Sequence, residues 1–318
     1  MKIVILDGHT LNPGDLDWQP LEQLGKLQVY DRTAPEQIME RSKGAQAVIV
    51  NKVKLDKNIL GQLKDLKYIG VSATGFDIVD TEFASKQKIT VTNVPGYGTS
   101  AVAQHTFALV LEACNHTGLH IADVKEGGWA NNSDWCYWKK SLLELHGKNL
   151  GIVGFGRIGS AVAKIARAFG MNILVYNPGR KKQLPERATS LALEELLQKS
   201  DFISLHCPLT NSNQQFINRN TLGLMKKSAW LINTSRGGLI NEADLAQGLK
   251  KQIIAGAALD VLAQEPPPAD HPLLHLSNCF ITPHQAWCAK ESRQRLLNTL
   301  VQNLKQYLLN KPVNVVNR

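Results

Sequence analysis

Short, almost wholly apolar runs alternate along the chain with segments in which apolar residues recur every three or four positions, and the alternation falls into two series. Runs rich in Val, Ile and Leu are the signature of strands buried on both faces of a parallel sheet, and the segments between them read as amphipathic helices. The first series predicts strands over Lys2–Asp7, Leu27–Asp31, Ala47–Asn51, Lys67–Ala73 and Ile89–Asn93, with helical stretches such as Ile59–Leu66 and Val79–Lys86 between them. The second predicts strands over Asn149–Gly154, Asn172–Asn177, Phe202–Cys207, Ala229–Thr234, Ile254–Val261 and Cys279–Thr282. Strand and helix alternating in this way define an α/β fold class, here two doubly wound parallel-sheet domains.

Between the series lies Thr99–Thr117, apolar nearly all round and preceded by the turn Pro95-Gly96-Tyr97-Gly98. Its helix is expected to start with Thr99 or Ser100 as N-cap and to be buried between domains or subunits. Beyond Pro283 the pattern is helical again over Ala289–Leu309, and the extended Val313–Val316 is expected to cross back to the first series. One domain therefore spans residues 1–98 and is completed by 287–318, while the other spans 99–286. There is no internal repeat, and Pro266-Pro267-Pro268 is too short a run for a linker.

The first strand of the second series runs into Gly154-Phe155-Gly156-Arg157-Ile158-Gly159, followed by the alanine-rich stretch Ser160–Gly170. In G-x-G-x-x-G each glycine has a task. Gly154 permits the tight turn, Gly156 lets backbone amides approach a pyrophosphate, and Gly159 lets the helix pack closely on the strand. The phosphates then meet free N–H groups and the positive end of the helix dipole. Alone the motif is weak, because any glycine-rich turn matches it. Here a strand, a helix and a second strand ending at Asn177 stand where a dinucleotide site needs them, and six strands make a full sheet of that kind. NAD is the expected cofactor. An acidic residue is usual about 20 residues on, to accept from the ribose 2′-OH. Asn177 still bonds a ribose hydroxyl but repels no 2′-phosphate, and Arg180, Lys181 or Lys182 would attract one. A solvated basic turn explains those three equally well, so NADP stays open.

Polar residues then collect where strands of the second series end: Arg236 after Leu231–Thr234, Asp260 and Glu265 after Ile254–Leu259, and His284 after Cys279–Thr282. Ligands in doubly wound sheets bind outside the carboxyl ends of strands. Reducing a 2-oxo acid needs a proton donor for the developing alkoxide and a cation for the carboxylate. Histidine donates near neutral pH, a glutamate on its other nitrogen favours the protonated ring, and arginine grips a carboxylate with a planar fork. Asp260 is placed at the nicotinamide carboxamide. Singly, Arg236 reads as a surface ion pair, Glu265 as a turn cap and His284 as a loop histidine. Together, beside a nucleotide loop, they read as catalytic.

Composition narrows the classes. With 318 residues, 43% hydrophobic and 20% charged, the chain suits two globular domains. No apolar run is long enough to span a bilayer, and Met1–Asp7 reads as a buried first strand rather than a secretory leader, so a cytoplasmic protein with no membrane partner is expected. The formal charge of +9 is spread thinly, which argues against nucleic acid and for small anions. The five cysteines, Cys114, Cys136, Cys207, Cys279 and Cys288, have no metal-ligand spacing, so reduced thiols and no metal are expected.

Taken in order, Gly151–Gly159, His206-Cys207-Pro208-Leu209-Thr210, Asn233–Gly238, Asp260 through Pro267 and Thr282-Pro283-His284 resemble the motifs of the D-2-hydroxy-acid dehydrogenases over essentially the whole chain, and most of all their glycerate dehydrogenase (hydroxypyruvate reductase) branch. The resemblance implies a Rossmann nucleotide-binding domain with a flavodoxin-like substrate domain. It implies Arg236 as the substrate arginine, His284 as acid/base, Glu265 as its partner, and Asp260 at the nicotinamide. Phe155, Gly156, Arg157, Ile158, Cys207, Pro208, Thr234 and Ser235 would line the cofactor. Ala73, Thr74 and Gly75 would hold the substrate carboxylate through backbone amides. Departures from the family are Asn177 for a usual Asp and Gln104 for a frequent Glu.

Hydroxypyruvate/D-glycerate or glyoxylate/glycolate is the substrate pair this branch implies. A D-lactate-type enzyme is the alternative; a D-3-phosphoglycerate dehydrogenase usually carries a further C-terminal domain, and formate dehydrogenases replace Glu265 with Gln. A non-catalytic NAD-sensing corepressor is the reading from another class. Trp129, Trp135 and Trp138 with Tyr137 are expected in a core or a dimer interface. The resemblance adds a homodimer in which Trp138 caps the partner's active site. Lys52 after the third strand either faces an anionic substrate or is solvated.

Overall fold

The structure, a computed structural model, describes residues 1–178, 184 and 188–317. Its contacts divide the chain into two compact units, Met1–Gly98 with Cys288–Arg318, and Thr99–Trp287.

The first unit is built on β1 (Lys2–Ile5), β2 (Lys26–Val29), β3 (Ala47–Val50), β4 (Tyr68–Val71) and β5 (Thr90–Thr92), all parallel in the order β2-β1-β3-β4-β5. That is the flavodoxin-like order. β3 and β4 are buried at every position, which is why they read as unbroken apolar runs. Helices α1 (Gln19–Glu22), α2 (Ile38–Ser42), α3 (Lys57–Leu60) and α4 (Thr81–Lys86) connect the strands. The helix expected over Ile59–Leu66 is a single turn, α3. The Asp56 carboxylate caps it, accepting from the Asn58 and Ile59 amides, so it starts earlier than the apolar pattern does, and it ends at Gly61. The long helix Lys290–Leu308 packs on β4, with Leu300 lying over Gly70. Arg293 anchors it. Nearly buried, it grips both oxygens of Asp15 at 2.6 and 2.7 Å and donates to the carbonyls of Leu11 and Cys288. The tail then bridges antiparallel to Thr92 through Val315, and the Val316 N–H donates to Val91 O at 2.9 Å.

The second unit opens with α5 (Thr99–Asn115) and α6 (Thr117–Lys125). Its strands are β6 (Asn149–Val153), β7 (Asn172–Tyr176), β8 (Ala188–Ser190), β9 (Phe202–Leu205), β10 (Trp230–Asn233), β11 (Gly256–Leu259) and β12 (Cys279–Ile281). They interleave with α7 (Arg157–Ala168), α8 (Leu193–Lys199), α9 (Arg219–Gly223) and α10 (Glu242–Lys250). The sheet is parallel throughout, in the order β12-β11-β10-β9-β6-β7-β8. Read from β8, this is the Rossmann order with β12 added, and it reverses between β6 and β9. The apolar runs of the sequence announce six strands; β8 is the seventh. Mostly exposed and with the sequence Ala-Thr-Ser, it carries no apolar run to announce it.

Separate apolar clusters cover the two faces of the sheet, one including Ile203, Leu231 and Leu259, the other Ile152, Ile173 and Ile232 with Val110 and Ala163. α5 packs on α7, β10 and β11, so its apolar face is covered by its own unit, where burial between domains or subunits was expected. It also stops at Asn115, short of the expected Thr117, because His116 takes the left-handed conformation (φ +45°) and breaks the helix from α6.

Candidate active site

One row of residues fixes the geometry of the second unit. Tyr176, Val153, Leu205, Asn233, Leu259 and Ile281 lie in register across β7, β6, β9, β10, β11 and β12. The candidates of this unit follow that row directly: Asn177, Gly154, Cys207, Thr234 and Asp260 within two residues, Arg236 and His284 at the third. A sheet whose strands end level thus presents a nucleotide loop and three polar loops at one edge.

The glycine loop meets each requirement of a phosphate cradle. Gly154 has φ +95°, and a Cβ there would lie 2.6 Å from the Cys207 amide nitrogen. At Gly159 a Cβ would stand 2.3 Å from Gly154 O, so helix and strand touch without side chains between them. Around Gly156, in contrast, a Cβ would meet nothing within 4 Å: this is the open side. Gly156 is also the N-cap of α7, and no side chain caps it, so the first-turn amides point at that opening. These residues fit a dinucleotide pyrophosphate. Asn177 takes part in the loop, its Oδ1 accepting from the Phe155 N–H at 3.0 Å. Arg180, Lys181 and Lys182 lie outside the described residues.

Beside the loop, the Cys207 thiol is pushed up by burial, and Cys207 O accepts from Ser235 Oγ at 2.7 Å. Burial pushes His206 down to about 4, so it is neutral, with Nε2 2.8 Å from Ser204 Oγ. Thr234 lies against α5, its hydroxyl 3.1 Å from that of Thr106.

Arg236 stands on a turn built by Asn233. The fully buried Asn233 side chain accepts from the Ser235 N–H at 3.0 Å and donates to Arg236 O at 2.9 Å. The guanidinium is exposed and donates to Ser235 O at 2.8 Å. Gly237 brings this turn onto the backbone of Leu262 and Ala263, where a Cβ would fall 1.9 Å from Leu262 C. Glu265 lies just beyond that contact. Its Oε1 accepts from the Leu262 N–H at 3.1 Å, and its Oε2 lies 2.6 Å from His284 Nδ1. Glu242 supports the same segment by accepting from the Ala263 N–H at 2.7 Å and pairing with His271 at 3.1 Å.

Asp260 is almost fully buried. Its carboxylate accepts from Thr282 Oγ1 at 2.6 Å and from the Gln285 and Ala286 amides, each at 2.9 Å. His105 Nε2 stands 3.4 Å away. Burial pushes this carboxyl up, yet His105, Thr282 and the two amides outweigh it and hold it below its ordinary value, so it is ionised. His105, Glu242 and His271 carry no signal in the sequence, and Thr282 enters there only as part of the Thr282-Pro283-His284 motif. Each is a polar residue within an otherwise apolar or loop pattern, and only the fold brings it to its partner.

In the first unit, Thr74 Oγ1 donates to Val94 O at 2.9 Å, and Thr74 O accepts from Asn93 Nδ2 at 2.7 Å, which pins the Ala73-Thr74-Gly75 turn to the end of β5. Lys52 lies at the middle of a turn in which the Asp7 carboxylate accepts the amides of residues 51–53. The tryptophans correct the expectation of a core: Trp129, Trp135 and Trp138 are 53, 86 and 64% exposed. Tyr137 and Lys139 tie their segment to α6 through Asp123. All five cysteines are free, and the described residues hold no cluster fit for a metal ion.

A parallel sheet of this order with a G-x-G-x-x-G turn at its point of reversal is the dinucleotide-binding architecture that nicotinamide-dependent dehydrogenases use. Residues 107–286 match the NAD-binding domain of the D-isomer-specific 2-hydroxyacid dehydrogenases, and the chain belongs to that family. It is 46% identical to the hydroxypyruvate reductase of Blautia hydrogenotrophica, with all of both chains covered. To the glycerate dehydrogenase of Methylorubrum extorquens it is 39% identical, over 99% of this chain and 98% of that one. Among solved structures, an acyclic imino acid reductase in complex with NADPH and D-Arg superposes with a TM-score of 0.86 at 32% identity, over 99% of this chain and all of that one. The chain is a nicotinamide-linked oxidoreductase of D-2-hydroxy acids.

Proposed function

We propose that this enzyme reduces a small 2-oxo acid, hydroxypyruvate or glyoxylate, to its D-2-hydroxy acid. The observation that carries the proposal is the 2.6 Å contact of Glu265 with His284 Nδ1, at the same sheet edge as Arg236 and the nucleotide loop. When bound, the nicotinamide supplies the hydride. The chain supplies the rest. Arg236 grips the substrate carboxylate and polarises the carbonyl. His284 delivers a proton from Nε2 to the developing alkoxide while Glu265 holds Nδ1 and steadies the imidazolium. Gly154, Phe155, Gly156, Arg157, Ile158 and Gly159 receive the pyrophosphate, and Asn177 faces the ribose. Cys207, Pro208, Thr234, Ser235 and Asp260 line the nicotinamide end.

NADH is the cofactor in this reading, and NADPH is accepted too, because neutral Asn177 brings no negative charge against a 2′-phosphate. The named relatives support the substrate pair. The enzyme is a cytoplasmic homodimer in which the exposed Trp138 reaches the partner's active site. No helix among the described residues is long and apolar enough to cross a membrane. Absorbance at 340 nm, with NADH and NADPH against hydroxypyruvate, glyoxylate and pyruvate, tests the proposal. Fastest turnover of hydroxypyruvate or glyoxylate supports it. Fastest turnover of pyruvate would make this a D-lactate-type enzyme, and no turnover with tight NADH binding would make it a sensor.

A further inference from the structure

His284 is held in the left-handed region at φ +50°, a conformation that side-chain-bearing residues rarely adopt and that persists only where the surroundings impose it. Asp260 imposes it from both sides. Its backbone oxygen accepts the His284 N–H at 2.8 Å, and its carboxylate holds the next two amides together with the hydroxyl of Thr282. That hydroxyl has one proton, and the 2.6 Å contact commits it to Asp260. Its 2.9 Å contact with His105 Nε2 must therefore be one in which Thr282 accepts, which places a proton on His105 Nε2. His105 belongs to α5, the apolar helix packed on β10 and β11, so it reaches this cluster from a different layer of the unit.

We propose that His105 is a positioning residue for the acid/base pair: by donating from Nε2 into the Thr282–Asp260 pair it fixes the turn that aims His284 at Glu265. The inference rests on His284 being the catalytic acid. A nonpolar residue of similar bulk would fill the space on α5 but would leave Thr282 and a buried carboxylate one donor short. Loosening the turn displaces an imidazole whose task depends on sub-ångström placement, and a misplacement of about 1 Å can cost 10²-fold in rate.

The test compares His105→Leu, His105→Gln and Thr282→Val by kcat and KM for hydroxypyruvate, NADH affinity by fluorescence, and thermal unfolding. Glutamine carries an N–H donor at about the reach of Nε2. Leucine is expected to lower kcat by about 10–100-fold with KM for the acid and NADH affinity little changed. Glutamine is expected to recover kcat to within about threefold of wild type. Thr282→Val is expected to match leucine, and the double variant to be no worse than either single, since one chain of hydrogen bonds is cut at two links. Wild-type kcat in His105→Leu would overturn the inference. So would equal losses for leucine and glutamine that follow a fall in unfolding temperature, since that is the mark of packing alone. His284→Ala separates this inference from the reading beneath it. Wild-type turnover there overturns both, whereas a dead His284→Ala beside an intact His105→Leu overturns the positioning role alone.

Discussion

Arg236 owes its placement to a neighbour with no part in the chemistry. Buried Asn233 shapes the turn with two hydrogen bonds, and the guanidinium beyond it stays exposed. Charge-assisted hydrogen bonds are worth about 1.5–3 kcal/mol each, so Arg236→Ala is expected to lower kcat/KM for the 2-oxo acid by about 10²-fold. Arg236→Lys, which keeps the charge and loses the fork, is expected to recover only part of that in the same steady-state assay. His206 makes a second prediction. Its folded value of about 4 lies below the ordinary 6.5, so the unfolded chain takes up its proton first. Stability from this group is complete above pH 6.5 and is lost as pH falls towards 4, by up to about 3 kcal/mol. Denaturant unfolding at a series of pH values should show that slope, and His206→Gln should flatten it. At this scale the sequence was legible where a polar residue interrupts the end of an apolar strand, as at Arg236, Asp260 and His284. It was silent at His105, because a histidine between Gln104 and Thr106 in a largely apolar helix has no visible partner until the sheet folds beneath it.

Helices and strands meet at this site through backbone as much as through side chains. Gly237 has no room for a Cβ against Leu262, so Gly237→Ala must push the Arg236 turn away from the segment that carries Glu265. Overpacking of this kind costs about 1–3 kcal/mol, and the expected result is a lowered unfolding temperature together with a fall in kcat. An alanine variant with unchanged melting and turnover would show that the contact is slack. Element by element, the fully buried strands were easiest to read, because burial on both faces leaves an unbroken apolar run. Edge strand β8 was missed for the opposite reason. α6 was missed because its Leu119, Ile121 and Val124 are exposed, and an apolar pattern that faces outward marks no core.

For the molecule as a whole, the orders of the two sheets and the match over residues 107–286 agree on a two-sheet dehydrogenase. The tryptophan segment has two expected places, and one chain excludes only the first of them. Aromatics were assigned to a core or an interface, and the single chain offers them no core. In the proposed homodimer Trp138 covers the partner's active site, so Trp138→Ala is expected to raise KM for the 2-oxo acid while leaving the unfolding temperature in place; unchanged kinetics would reject its role. Light scattering should find a particle of two chains. In the proposed reaction everything turns on His284 as the proton donor. Turnover of hydroxypyruvate by His284→Ala, followed at 340 nm with saturating NADH, is expected to fall by about 10²–10⁴-fold while NADH binds as tightly as before. Turnover at the wild-type rate would contradict it.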